Sequence, residues 1–585
     1  MKFYKKHPIV SMIGIAVFVF AVTGFYYKNS QLKGYPITSD VFTTRDRTVI
    51  PVPVPSNSPK LNPYDISKFS QYGYGVWRFG KGLGFEKRLD IMPSTYEHAS
   101  ATNSAKLLNF FTMTDIHLTD KESPAEMVYY GYKWGVISGY SPAMLYTTQF
   151  LDAAVQTVNT LHKQNPFHFG ISLGDDINSG QHNELRWFID VLDGKKINPD
   201  SGIKDDPVPG PNNDYQDEFK AAGLDKTIPW YQTLGNHDHF WAGMFPPDAY
   251  IKNAIIGTEL LNMGNVLDAD RLGVKARGFY IGAIDGSTPN GDIIGAGPVA
   301  DFKTPPTVSA DPNRRFLSRN DWISEFFHTS SNPKGHGFSR ANISTRFANY
   351  TFKPAANVPI KVIVLDDTQR DDNPDGYAYG RGALDQERYD WLVSELDKGQ
   401  AEGKLMIIAA HIPIGVEVTA PNSELGWWTD PRNAVTLPNL IAELQNHPNL
   451  IMWIAGHRHL NTVKAFISPD PVNAPEKGFW QVETSSLRDF PQQMRTFEIY
   501  LNSDNTISIV TTNVDPAVKD GSLAATSRTY AIGAEQIVDA DMYNSNPTND
   551  PTIKPMPTAS YNAQLIKQLS PEMQAKMKKL GDVSN

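Results

Sequence analysis

From about Leu107 onward the chain alternates short apolar runs with polar clusters. Six runs stand out: "LLNFFTMTDIH" (107–117), "FHFGISLGDD" (167–176), "IPWYQTLGNH" (228–237), "VPIKVIVLDD" (358–367), "KLMIIAAH" (404–411) and "LIMWIAGHRH" (450–459). Their β-branched and aromatic content predicts buried strands. Between several of them apolar residues recur three and four apart, at 143–164 and 383–400, which predicts helices. Strand, helix, strand in that order predicts an α/β fold with helices layered on sheets. "RTFEIYLNSDNTISIVTTNV" (495–514) predicts an antiparallel hairpin turning around Asn502–Asn505. The rhythm fails between 240 and 357, where Gly, Pro and Asn are frequent, and this stretch reads as an insertion or cap over the strand ends. Beyond 515 the pattern is that of a loop-like tail, 516–585, carrying a short amphipathic helix at 561–580. The strand-bearing domain is therefore set at 105–515.

The amino-terminal pattern differs. Lys2, Lys5 and Lys6 precede an uncharged apolar run from Pro8 to Tyr27, with Phe25, Tyr26 and Tyr27 where an interfacial belt would sit. A run of about 20 residues spans a bilayer. Residues 1–28 are therefore expected to be an uncleaved signal anchor, with a cleaved signal peptide as the alternative. The positive-inside rule then makes the bulk of the chain extracytoplasmic, membrane-anchored through this helix, or periplasmic or secreted if the peptide is removed. Residues 29–104 contain Val-Pro alternation within 49–63, which favours polyproline geometry and predicts an extended, Pro-rich segment.

Composition narrows the chemistry. With 585 residues, 40% hydrophobic and 20% charged, the chain can bury a large core. A formal charge of −9 argues against nucleic acid as the main partner, because neutralising phosphates needs a basic face. There is no cysteine, so disulfides, thiolate catalysis and iron–sulfur ligation are excluded. Any metal must rest on His, Asp, Glu, Asn or backbone oxygen, a donor set suited to Mn, Fe, Zn or Mg.

Five of the six strand-like runs end in groups able to bind metal: Asp115-x-His117, Gly174-Asp175, Gly235-Asn236-His237, His411 and Gly456-His457-x-His459. Parallel α/β sheets form their sites at the carboxyl ends of strands, so these distant residues can converge on one crevice. In extended chain, residues i and i+2 project to the same side, which would let Asp115 and His117, or His457 and His459, act together. The glycines before three of the ligands suit close backbone approach. Taken singly each motif is commonplace, and a lone His after an apolar run is most often a core or surface histidine. Their conjunction in one order is the signal.

That order resembles the calcineurin-like metallophosphoesterase superfamily. The resemblance implies a four-layer α/β/β/α sandwich with a dinuclear metal centre. It implies a hydrolase of phosphate mono- or diesters that uses a metal-activated hydroxide, and two divalent or trivalent cations (Mn, Fe or Zn). One would be held by Asp115, His117, Asp175 and His459, the other by Asp175, Asn236, His411 and His457, with Asp175 bridging. A bridging carboxylate offsets the repulsion of cations about 3.5–4 Å apart. His237 matches the family's proton donor to the leaving alkoxide, or its phosphate stabiliser. The chain departs from the family pattern at Asn178, where an aspartate often orients this histidine; an amide would orient it without stabilising its cationic form.

The neighbours carry alternative readings. His239, His336 and Arg488 are candidate substrate contacts. A loop histidine is the alternative for His239, a surface loop for His336, and a buried Glu483–Arg488 pair for Arg488. Asp238 is expected to bond local backbone, Asp176 to be structural, and Arg458 to project away from the ligands beside it. The expected substrate is a small-molecule or lipid-linked phosphate ester. The competing reading is a non-catalytic metal-binding or interaction module on the same fold.

Overall fold

The computed structural model describes residues 32–97, 102–134, 139–202, 216–263, 278–285, 290–371, 380–415, 428, 433–538 and 558–581. The apolar run expected to anchor the chain, residues 1–28, lies outside them. No helix among the described residues is long and apolar enough to cross a membrane.

Two sheets form the body. The chain first lays down β1 (Glu86–Arg88), β2 (Asn103–Met113), β3 (Phe169–Ser172) and β4 (Trp230–Gln232) of one sheet. It then builds the second from β5 (Tyr350–Phe352), β6 (Ile360–Val364), β7 (Leu405–Ala409), β8 (Leu450–Ala455), β9 (Thr462–Phe466) and β10 (Phe479–Glu483). Finally β11 (Met494–Asn502), β12 (Ile507–Val514) and β13 (Asn562–Lys567) return to the first. The spatial orders are β1-β13-β12-β11-β2-β3-β4 and β5-β6-β7-β8-β10-β9. Within them β2, β3 and β4 run parallel, as do β6, β7, β8 and β10. All six apolar runs are strands, and the 495–514 hairpin forms as β11 and β12.

Period-two alternation divides the side chains between two cores. Along β6 and the residue after it, Val362 and Val364 face the first sheet's core, whereas Ile363 and Leu365 join a second core with Leu392, Leu396, Leu440 and Leu444. Those leucines lie on α4 (Gln386–Ala401) and α5 (Leu437–Gln445), which cover the outer face of the second sheet. Between the sheets Phe110 stacks on Phe169 and Phe497 at 4.6 and 4.8 Å, and Phe169 meets Phe352 of β5 edge-on at 5.2 Å. The opposite face of β2 turns toward α1 (Thr147–Gln164) and α2 (His182–Leu192): Phe111 packs against Phe167, and Asn109 Nδ2 donates to the Asn165 carbonyl at the end of α1. The layering is α/β/β/α. Each fully buried aliphatic or aromatic side chain contributes about 1.5–3 kcal/mol of transfer free energy, so registers that split one residue out of two between the cores are strongly fixed.

Three boundary readings are corrected. Residues 29–104 are more than an extended strap: Arg47–Pro51 pairs antiparallel with Trp77–Lys81, and β1 joins the first sheet beside β13. The tail beyond 515 carries a helix over Leu523–Val538 and the strand β13, so the sheet extends past both ends of 105–515. The expected helix at 561–580 is instead β13 followed by a helix over Pro571–Gly581. The physical reason is twofold. Pro571 has no amide proton with which to continue a helix but suits a first turn, and β12 offers Asn562–Lys567 a free edge. The insertion 240–357 contains a three-stranded sheet over Asn262–Met263, Phe279–Asp285 and Asp292–Pro298, and a helix α3 (Arg319–Glu325).

Candidate metal centre

All five motif loops leave the carboxyl ends of parallel strands: β2, β3 and β4 in one sheet, β7 and β8 in the other. Asp115 and His117 lie two and four residues past β2, and Asp175 follows β3. Asn236 follows β4, His411 lies two past β7, and His457 and His459 lie just past β8. The extended-chain argument for Asp115 and His117 does not hold. Asp115, His117, Asp175, His457 and His459 all have left-handed backbone, with φ of 50, 47, 54, 77 and 59°. Side chains reach the centre because the backbone turns inward, away from strand alternation.

Two glycines permit the approach of the loops. A Cβ on Gly235 would lie 2.2 Å from the Asp175 amide nitrogen, and one on Gly456 would lie 2.0 Å from Thr114 Oγ1 and 2.5 Å from Asp115 Oδ2. Neither position admits a side chain.

The resulting cluster has two lobes. In the first, His459 Nε2 lies 3.3 Å from Asp115 Oδ1 and 3.1 Å from His117 Nε2. In the second, His411 Nε2 lies 3.1 Å from Asp175 Oδ2, 3.1 Å from His457 Nδ1 and 3.0 Å from Asn236 Oδ1. Asp175 Oδ2 also stands 3.9 Å from His117 Nε2, which puts Asp175 between the lobes. The groups Asp115–His117–His459 and Asp175–His411–His457 could each hold a metal ion, and so could His117–Asp175–His237. Ligand atoms about 2.0–2.2 Å from one cation and 90–110° apart stand about 2.9–3.5 Å from each other. The contacts made by His459 and His411 fall in that range, and the Asp115–His117 separation of 3.8 Å lies just beyond it.

Neighbouring groups fix which atoms face inward. His411 Nδ1–H donates to the Leu173 carbonyl at 2.8 Å, and His459 Nδ1–H to Asp489 Oδ2 at 2.6 Å, so each turns Nε2 to its lobe, bare once the imidazolium proton is lost. Asn236 Nδ2 donates to the Gly243 carbonyl at 3.0 Å, which turns Oδ1 inward. Asp115 Oδ2 accepts from Thr114 Oγ1 and His457 N at 2.7 and 2.8 Å, whereas its buried Oδ1 has no hydrogen-bond partner and faces His459 and His117. An orphaned carboxylate oxygen among bare imidazole nitrogens is a donor set that fits a cation. Charge tells the same story. Burial pushes the Asp175 carboxyl up, but His411, His237 and His457 outweigh it and hold it well below the usual carboxylate range. Burial opposes charge on His411 and His459 too, yet Asp175 pushes His411 up to about 10, and Asp115 with Asp489 pushes His459 up to about 9. Buried anions here demand positive charge, from protons or from metal.

His237 stands at the edge of the cluster, its ring 4.5 Å from that of His117 and perpendicular to it. The Asn178 side chain does not orient it. Instead His237 Nδ1–H donates to the Asn178 main-chain carbonyl at 2.7 Å. The bond to His237 is thus made by the main chain of residue 178, and its side chain bonds elsewhere. Asp238 accepts from the amides of Gly235, Asp175 and Asp176 and staples the two loops together. Asp176 accepts from Ser172 and Gln232 beneath them.

The three candidate substrate contacts lie elsewhere. His239 is buried, its Nε2 3.0 Å from Thr368 Oγ1 and its ring against Arg319 of α3. His336 stacks on Trp230 at 3.4 Å, beside the amino end of β4 and opposite its ligand-bearing end, and burial pushes its imidazole down to about 3. Arg488 is 1% exposed and grips Asp489 through Nε and Nη2, both at 3.1 Å; it does not pair with Glu483. Glu483 is held by Arg458 instead, which turns from the ligands beside it into this ion pair. An Arg-Asp dipeptide four residues beyond a buried strand was the signal that could have exposed Asp489.

No family model matches the chain, and no curated protein matches it. Among solved structures it is similar to a dimetal phosphatase from Danio rerio, at 12% identity and a TM-score of 0.35, over 70% of this chain and 97% of that one.

Proposed function

We propose that the chain is a metal-dependent phosphoric ester hydrolase of the calcineurin-like metallophosphoesterase type. The observation that carries this reading is the two-lobed cluster, in which Asp175 lies between Asp115–His117–His459 and Asn236–His411–His457 with donor atoms 3.0–3.9 Å apart. Asp115, His117, Asp175 and His459 would hold one cation; Asp175, Asn236, His411 and His457 would hold the second. The chemistry such a pair supplies is polarisation of a phosphoryl group and activation of water as nucleophile.

The chain's own residues do the rest. Leu173, Asp489 and Gly243 hold the ligand tautomers and the amide orientation, so the donors need no rearrangement to bind. His237, its Nδ1–H bonded to the Asn178 carbonyl, is left with Nε2 for the substrate, and when Nε2 carries a proton it gives that proton to the leaving oxygen or a hydrogen bond to the phosphoryl group. The apolar run after Lys2, Lys5 and Lys6 supports an extracytoplasmic, membrane-anchored enzyme acting on a small-molecule or lipid-linked phosphate ester.

The test is hydrolysis of p-nitrophenyl phosphate and its bis ester with Mn²⁺, before and after chelation. Turnover on at least one ester is expected, lost on chelation and restored by Mn²⁺. Asp175→Asn is expected to lose that turnover together with at least one bound metal. Protein with two metals bound and no turnover on either ester would overturn the reading.

A further inference from the structure

One buried loop reaches three parts of the centre. After β10 the chain runs through Thr484-Ser-Ser-Leu-Arg-Asp489. Ser486 Oγ donates to the Asp115 carbonyl at 2.7 Å and accepts from the amides of Arg488 and Asp489 at 2.9 and 3.1 Å. Asp489 Oδ2 accepts the Nδ1–H of His459 at 2.6 Å, and the Arg488 fork closes on both Asp489 oxygens. The remaining arm, Arg488 Nη1, donates to Asn178 Oδ1 at 2.9 Å, and Asn178 is the residue whose carbonyl holds His237. Glu126 accepts from the other end of the same amide at 2.7 Å.

We infer that Arg488 is a positioning residue that couples His459 to His237. A planar guanidinium with five donors can fix Asp489 and Asn178 at once; a lysine ammonium in its place keeps the charge but not the fork. One side chain thereby sets the ring of a metal-lobe histidine and the ring of the phosphate-facing histidine, two groups from opposite sheets. Its complete burial is what makes the coupling stiff, since no water competes for its donors. A role in substrate contact is closed to it for the same reason.

The inference rests on the proposed phosphoesterase reading only for its turnover measurement. In the full chain stripped of metal, Mn²⁺ is titrated calorimetrically into wild type and Arg488→Lys. One of the two Mn²⁺ affinities is expected to fall about 10–100-fold, the usual effect of losing a partner behind a ligand, and the other to hold. Turnover of phenyl phosphate, whose leaving group needs a proton, is expected to fall about tenfold or more relative to p-nitrophenyl phosphate, whose leaving group does not. Two variants separate the arms if Arg488→Lys fails to fold. Asp489→Asn is expected to weaken one Mn²⁺ without changing the ratio of the two esters, and Asn178→Ala to lower the ratio without changing Mn²⁺ affinity. Folded Arg488→Lys with both affinities within twofold of wild type, or with an unchanged ratio, overturns the coupling. Wild type that takes up two Mn²⁺ and hydrolyses neither these monoesters nor the bis ester overturns the phosphoesterase reading instead, and the Mn²⁺ affinities then decide the part played by Arg488 at His459.

Discussion

Gly456→Ala tests the contact between the two sheets at the point where it builds the site. Gly456 lies between β8 and the pair His457 and His459, directly over the Asp115 loop. The added Cβ would meet Thr114 Oγ1 at 2.0 Å, Asp115 Oδ2 at 2.5 Å and Thr114 Cβ at 2.9 Å, all closer than real Cβ contacts come. The threonine hydroxyl could rotate away, but Asp115 Oδ2 would then lose its 2.7 Å donor while remaining in the path of the methyl. One loop must therefore retreat by roughly an ångström, which also stretches the 2.8 Å bond from His457 N to Asp115. Overpacking of this kind costs about 1–3 kcal/mol, and a misplacement near 1 Å at reacting groups costs about 100-fold in rate. We expect a lower urea midpoint equivalent to that free energy, weakened Mn²⁺ binding, and kcat/KM on p-nitrophenyl phosphate reduced about 100-fold. Gly84→Ala, where nothing lies within 4 Å of the new Cβ, is the control and should stay within about 0.5 kcal/mol of wild type. Gly456→Ala with wild-type midpoint and wild-type Mn²⁺ affinity would refute the described approach of the two loops.

His336→Ala removes the stack on Trp230 and the 3.0 Å bond to its carbonyl, so stability should fall by about 1–3 kcal/mol while kcat/KM is preserved; lost activity at full stability would return His336 to the substrate. Lys567 is fully buried, donates to the Glu476 carbonyl at 2.6 Å and to the Gly478 carbonyl, and is pushed by burial down to about 7. Its folded pKa lies below its unfolded one, so between pH 7 and about 10.4 the unfolded chain binds more protons and stability rises with pH. Urea midpoints over that window should climb in wild type relative to Lys567→Met by an amount on the order of a few kcal/mol, and parallel pH profiles would exclude the effect.

The strands and the polar residues that converge past their ends were legible because burial on both faces writes long apolar runs, and because polar groups gather where such runs stop. The sequence misplaced what depends on pairing partners. Residues 562–567 have helical-looking spacing, and only the free edge of β12 makes them a strand. Arg488 and Glu483 sit five apart in one polar stretch and invite pairing, yet β10 ends between them and sends each to a different partner: Arg458 to Glu483, Arg488 to Asp489. The orientation of His237 was invisible for another reason, since the group that holds it is a main-chain carbonyl and leaves no mark on side-chain identity.

The left-handed backbone at five of the seven cluster residues shows how the site is held. Each such non-glycine residue costs about 1–2 kcal/mol relative to right-handed backbone, and glycine, which would relieve it, cannot supply a ligand. The offsetting bonds run from loop to loop. Asp115 N donates to Gly174 O and His117 N to Asp175 O, both at 3.0 Å. Leu118 N donates to Asp176 O at 2.9 Å, and Asn178 N back to Leu118 O at 3.0 Å. Within the second sheet Gly456 N donates to His411 O at 3.0 Å. One of these bonds joins two of the left-handed cluster residues directly, His117 to Asp175, and the others tie the loops on either side of them, so these loops do not relax independently. Strain at one ligand is shared by the whole cluster, and the donors are set by the fold before any cation arrives. On the proposed reading, Asp489 and Arg488 add to this main-chain scaffold from behind, through His459 and Asn178.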